Sequence, residues 1–187
     1  MARIPYCQLP TRMTVTGRSS SITNAFITAI IPVIEPSEVE ELEALRILGM
    51  SPGDIRCAYC GEKATEWDHL RPIISNKLPT GYTTEIANLV PSCGKCNQSK
   101  GKSYWRTWML GNAKLSPTTR GVLDIEDRVA RLEAYEAWRR PLKINFEALV
   151  GPEMWGLHEQ NLSDVLDLLK KSQKHAEKIR AIVEREG

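Results

Sequence analysis

The sequence predicts an α+β fold in which a small cysteine-rich core is flanked on both sides by mainly helical segments. Two Cys-x-x-Cys pairs mark the limits of this core, at Cys57/Cys60 and at Cys93/Cys96. Between the pairs, residues 67–72 form an apolar, extended-looking stretch, whereas the flanks repeat apolar side chains at helical spacing. We therefore divide the chain into an N-terminal arm and helix (1–50), a core (51–110) and a helical C-terminal lobe suited to recognition or dimerisation (111–187).

The clearest helix of the N-terminal part is predicted at residues 37–48. Ser37 and Glu40 have the spacing of a capping box, and Gly49 suits the C-terminal cap. Three leucines recur on one face of this helix: Leu42, Leu45 and Leu48. Before it, residues 21–31 are apolar enough to form a buried helix or strand, and Pro32 ends either one.

Helical patterns dominate the chain after the second cysteine pair. Residues 100–110 are expected to continue as helix, with Trp105 and Trp108 at a spacing more typical of core packing than of base stacking. Residues 111–121 have the composition of a linker. Two amphipathic helices are then predicted, at 122–139 and at 154–186.

The four paired cysteines predict a structural zinc site. Each Cys-x-x-Cys turn supplies two thiolates, and two such turns complete a tetrahedral Cys₄ site that clamps distant segments together. A single pair would leave a redox motif or unrelated structural thiols equally open. The second pair, and a glycine beside a cysteine in each, favour Zn²⁺ at Cys57, Cys60, Cys93 and Cys96.

Composition limits where the protein acts. The longest apolar run, residues 25–34, is too short to span a bilayer, and the N-terminus lacks the apolar segment of a secretory signal. Metal-bound thiols suit a reducing compartment, so we expect a cytoplasmic protein without a membrane partner. The net charge is only +2, but residues 95–106 hold four basic residues and no acid: Lys95, Lys100, Lys102 and Arg106.

Polar residues between and after the cysteine pairs complete a recognisable pattern. The order Cys-x-x-Cys, Asp68-His69-x-x-Pro, Asn88-Leu-Val, Cys-x-x-Cys-Asn97 and a lysine after two further residues fills residues 57–102. This pattern resembles the HNH endonucleases of the zinc-containing ββα-metal type. The resemblance implies a hairpin with Asp68 and His69 on its first strand, Asn88 in or near its second, and a helix that opens at the second cysteine pair.

The resemblance also implies a role for each polar residue. His69 would be the general base that activates water, and Asp68 and Asn97 would hold one catalytic Mg²⁺, for which Mn²⁺ can substitute. Asn88 would brace the loop. The last motif position is often histidine in the family, and Asn97 suits a hard cation better because an amide oxygen is a better Mg²⁺ ligand than imidazole.

The implied activity is hydrolysis of DNA to 5′-phosphate and 3′-hydroxyl ends. A compact chain with helical flanks resembles a Type II restriction endonuclease, which would cut double-stranded DNA as a homodimer. The alternatives are a phage or mobile-element nicking or homing nuclease, and a non-catalytic zinc module that binds DNA. Expected DNA contacts are Lys100, Lys102 and Arg106, while residues 1–20 are either a DNA-contacting arm or a disordered tail.

Overall fold

The computed structural model of the protein describes residues 10–186, which form two compact units. One unit is Ile27–Leu149, and the other joins the N-terminal stretch through Phe26 to the chain from Val150 onward. Seven α-helices and four short strands lie within the described residues, so the predicted α+β class is confirmed. The functional division at residues 50 and 110 stays a prediction.

The unit Ile27–Leu149 is built around a two-stranded antiparallel sheet. Strand β1 (Glu66–His69) pairs with β4 (Leu89–Ser92), in a register that sets Asp68 opposite Val90. Between them in the chain, β2 (Ile74–Ser75) and β3 (Leu78–Pro79) make a smaller hairpin. Its two turn residues, Asn76 and Lys77, have φ of 51° and 64°. Positive φ at both central positions is typical of a type I′ turn, whose twist matches that of the flanking strands.

Three helices test the sequence predictions directly. Helix α1 (Ser19–Thr28) crosses from one unit into the other, and α2 (Glu38–Ile47) starts at Ser37 with both hydrogen bonds of the predicted capping box. Helix α3 (Gly94–Lys100) begins at the second cysteine pair, as expected. It does not continue to residue 110, because Gly101 turns the chain with φ of 49° and α4 (Trp105–Met109) starts anew.

The core of the unit lies between the sheet, the cysteines and helix α5 (Ile125–Trp138). Trp105 and Trp108 are buried there, which confirms their packing role. From α5, the Tyr135 hydroxyl donates to the Leu89 carbonyl at 2.8 Å and so ties the helix to β4. Residues 111–121 are not a loose linker, since their side chains bond back to the chain, as Thr118 Oγ1 does to the Met109 carbonyl at 2.8 Å.

The second unit is organised along helix α7 (Pro152–Glu186), which follows the short α6 (Phe146–Val150). A 3₁₀ turn at Val15–Arg18 lies against α7, with the Val15 amide donating to Gln173 Oε1 at 2.7 Å. Nearby, Arg12 pairs with Glu184 at 2.5 Å. The first part of the proposed N-terminal arm, including Arg3, lies outside the described residues. Within residues 10–186, no helix is both long and apolar enough to cross a bilayer.

Candidate metal centres and active site

The four paired cysteines converge on one point. The Gly61 amide donates to the Cys57 carbonyl at 2.8 Å to close the first turn, and Cys93 caps helix α3 at the second. All four Sγ atoms lie within 4.8 Å of one another, with Cys60 and Cys93 3.7 Å apart. A tetrahedral zinc ion with Zn–S bonds of about 2.3 Å requires S···S distances of about 3.8 Å. These residues therefore fit a structural Zn²⁺.

The electrostatics of the cysteines also favour a bound cation. Hydrogen bonds from Cys60 and then Cys96 lower the pKa of Cys57 to about 3. Contacts with Cys57 and Cys60 conversely raise the pKa of Cys96. The first thiolate is thus stabilised by neighbouring S–H groups, while a further thiolate meets its negative charge. A bound divalent cation removes this repulsion and lets all four sulfurs deprotonate.

Asp68 lies on the side of β1 that faces α3, where it is buried. Its Oδ2 accepts from the Tyr59 hydroxyl at 2.6 Å and lies 3.0 Å from Lys100 Nζ, which also reaches Oδ1 at 3.2 Å. Burial raises the pKa of Asp68, and the neighbouring Lys100 ammonium opposes that shift. Burial, followed by the charge of Asp68, likewise raises the pKa of Tyr59, so the phenol stays a donor.

Asn97 projects from α3 toward the same strand and is held by a residue that the sequence reasoning missed. Its Nδ2 donates to Glu66 Oε2. Because an ionised carboxylate only accepts hydrogen bonds, this contact directs the amide nitrogen to Glu66 and leaves Oδ1 for another partner. The sequence could have indicated Glu66, because residues 66 and 68 of a strand point to the same face.

His69, next along β1, is held by a different neighbour. Its Nε2 lies 2.9 Å from Thr84 Oγ1, and its main-chain carbonyl accepts from Lys100 Nζ at 2.9 Å. Burial, and then the positive charge of Lys100, lower the pKa of His69 to about 4. The imidazole is therefore neutral near pH 7, which is the form that can accept a proton.

Asn88 is fully buried behind the strand. Its Oδ1 accepts from the Arg71 amide at 2.8 Å, and its Nδ2 donates to the carbonyls of Arg71 at 3.1 Å and Thr83 at 3.3 Å. These hydrogen bonds connect Arg71, two residues after His69, with Thr83, the residue before Thr84.

The structure corrects the predicted basic surface of residues 95–106. Lys100 does not belong to it, because its side chain is fully buried against Asp68. Arg106 is ion-paired with Glu133 on α5, and Lys102 is exposed. The surface that can meet a phosphate therefore carries less free positive charge than the sequence indicates.

Comparison with known proteins identifies the family that this part of the chain resembles. Residues 57–103 match the family model for HNH endonucleases. The chain contains an HNH endonuclease domain. A 57-residue stretch is 40% identical to the CRISPR-associated endonuclease Cas9 of Corynebacterium diphtheriae, and it covers 28% of this chain and 5% of that protein. No solved structure matches the chain. Most of the chain lies outside the residues that the family model matches.

Proposed function

We propose that this protein is a metal-dependent endonuclease that hydrolyses phosphodiester bonds of double-stranded DNA to 5′-phosphate and 3′-hydroxyl ends. The observation that carries the proposal is the HNH domain at residues 57–103, in which the motif acid, histidine and both asparagines are all present. The contacts of Asp68, His69 and Asn97 around the β1–α3 interface support it further.

Asp68 and Asn97 would hold one divalent cation, for which a carboxylate and an amide oxygen are suitable ligands. Once bound, Mg²⁺ would supply Lewis-acid stabilisation of the phosphate and of the departing 3′ oxygen. Glu66 orients the Asn97 amide, and Lys100 holds the Asp68 carboxylate in place. Asn88 keeps the loop after His69 in position.

His69 would act as the general base. In this proposal Nε2–H donates to Thr84 Oγ1, so Nδ1 carries the lone pair that takes a proton from the attacking water. The lowered pKa of His69 keeps this nitrogen unprotonated at neutral pH.

We further propose that the protein acts as a homodimeric, site-specific nuclease of the Type II restriction class. Helix α7 exposes apolar side chains that could bury against a second copy: Met154, Leu157, Leu168, Ile179, Ile182 and Val183. Two-fold symmetry of such a dimer would mirror that of a palindromic site. Light scattering after gel filtration should then give about twice the chain mass of 21.1 kDa.

One experiment separates the candidate functions. The zinc-loaded protein is incubated with supercoiled plasmid and Mg²⁺, with and without EDTA, and the products are resolved on a gel. Discrete metal-dependent fragments support a restriction enzyme, and open circles alone support a nicking enzyme. Unchanged plasmid, from protein that still binds DNA, would favour the non-catalytic zinc module and refute the nuclease.

A further inference from the structure

Arg120 contacts the cysteine cluster although it lies beyond residue 103, where the HNH match ends. Its Nη1 donates to Cys96 Sγ at 3.2 Å, and its Nη2 pairs with Glu62 Oε1 at 2.5 Å. Glu62 follows the first cysteine turn, and the Cys57 amide donates to its carbonyl at 2.8 Å. One guanidinium therefore bridges the first cysteine turn and a sulfur of the second.

The local fold holds Arg120 in this position. Its amide donates to the Ser116 carbonyl at 3.1 Å and closes a turn. Within this turn, Thr118 Oγ1 donates to the carbonyl of Met109, the last residue of α4. Gly121 then reverses the chain with φ of 68°. The Arg120 side chain is only 15% exposed, unlike a surface arginine that samples many rotamers.

The charge of the site explains what such a contact does. Four thiolates around Zn²⁺ leave a net charge of −2, and Cys57, Cys93 and Cys96 are buried. Buried charge is costly unless it is paired and hydrogen-bonded. A guanidinium offsets this cost in two ways, because its positive charge pairs with the thiolates and its N–H group donates a hydrogen bond to sulfur. Removing a group that supports metal ligands in this way typically weakens metal affinity about 10- to 100-fold.

We propose that Arg120 is a positioning residue of the zinc site, which stabilises the metal-bound thiolates and fastens the segment after α4 to the HNH domain through the metal. The proposal rests on zinc binding by the four cysteines, and it is independent of whether the chain cuts DNA. The expected effect of losing Arg120 is therefore on zinc affinity and on the electronic environment of the sulfurs.

The test compares Arg120→Met with the unaltered full chain. Methionine keeps much of the apolar stem and removes the charge and the N–H donors. Transfer of zinc to a chromophoric chelator should show about 10- to 100-fold weaker binding. In the cobalt-substituted protein, the sulfur-to-cobalt charge-transfer band should shift, because the Cys96 sulfur loses a hydrogen bond. A purely structural role would not move that band in a folded protein.

Matched variants make the result specific. Arg56→Met removes an arginine beside Cys57 that pairs with Asp54 at 2.7 Å and is 60% exposed, and it should leave zinc affinity unchanged. Arg120→Lys keeps the charge but not the two-pronged contact, and it should show a smaller loss. If Arg120→Met does not fold, the zinc affinity and cobalt spectrum of Arg120→Lys are compared with those of the unaltered chain instead.

Equal zinc affinity and an unshifted cobalt spectrum for the folded Arg120 variant would overturn the proposal. An equal loss in Arg56→Met would do so as well, because it would reduce the effect to general surface charge. Both readouts are made without DNA, so they remain valid if the plasmid assay refutes the nuclease.

Discussion

The Lys100–Asp68 ion pair leads to the sharpest prediction about stability. Both side chains are almost completely withdrawn from solvent, at 0% and 7% exposure, so water screens their attraction little. Replacing Lys100 by methionine removes the ammonium but keeps most of the volume of the side chain. The Asp68 carboxylate then stays buried, and it keeps the hydrogen bond from the Tyr59 hydroxyl but loses the one from Lys100.

Breaking a buried pair by removing one partner costs about 3–5 kcal/mol. The retained bond from Tyr59, worth about 1.5–3 kcal/mol to a charged acceptor, limits the loss, so we expect the lower end of that range. Urea unfolding of the zinc-loaded protein, followed by circular dichroism at pH 7, measures the free energy of unfolding. Lys102→Met is the matched control, because Lys102 is exposed and should change stability by less than about 0.5 kcal/mol.

Two further results would distinguish a lost ion pair from poor packing. Adding Asp68→Asn to Lys100→Met should cost much less than the sum of the two single changes, because no unpaired charge remains. Mg²⁺ should also stabilise Lys100→Met more than the unaltered chain, since the ion no longer shares the carboxylate with an ammonium. A loss below about 1 kcal/mol, or strictly additive changes, would refute this reasoning.

Three other predictions concern the site and its metals. His69→Ala should slow plasmid cleavage by about 10²- to 10⁴-fold with zinc content unchanged, and a rate equal to that of the unaltered chain would exclude His69 as the base. Glu66→Gln should raise the Mg²⁺ concentration needed for half-maximal rate. A glutamine amide can present its nitrogen to Asn97, so the Asn97 amide would no longer be held in one orientation. An unaltered Mg²⁺ dependence would count against a role of Glu66 in orienting Asn97. Removing zinc with a strong chelator should unfold the core, since structural zinc supplies about 10–16 kcal/mol in peptides. Trp108 packs edge-on against Tyr59 with ring centroids 5.2 Å apart, so tryptophan emission reports that loss, and native emission after complete zinc removal would disprove it.

Much of the core could be predicted because its signals are local. Two cysteine turns, a capping box at Ser37 and an extended stretch around Asp68 and His69 depend on neighbours within a few residues, and the structure confirms each of them. The family resemblance, and not a local pattern, implied that this stretch is the first strand of a hairpin. The break at Gly101 was missed because a glycine within a helical pattern is often tolerated. In the structure Gly101 has a positive φ, which ends α3.

The linear chain was sufficient to define the chemistry of the site: thiolates at zinc spacing, and an acid, an imidazole and two amides in the order of one family. Tertiary structure decided how those groups are paired. It buried Lys100 against Asp68, brought Glu66 to Asn97, and carried Arg120 to a zinc-binding sulfur. The physical reason is that burial and pairing are set by contacts between residues distant in sequence. A charged side chain is exposed, screened or buried according to what folds over it, and its own residue type does not reveal which.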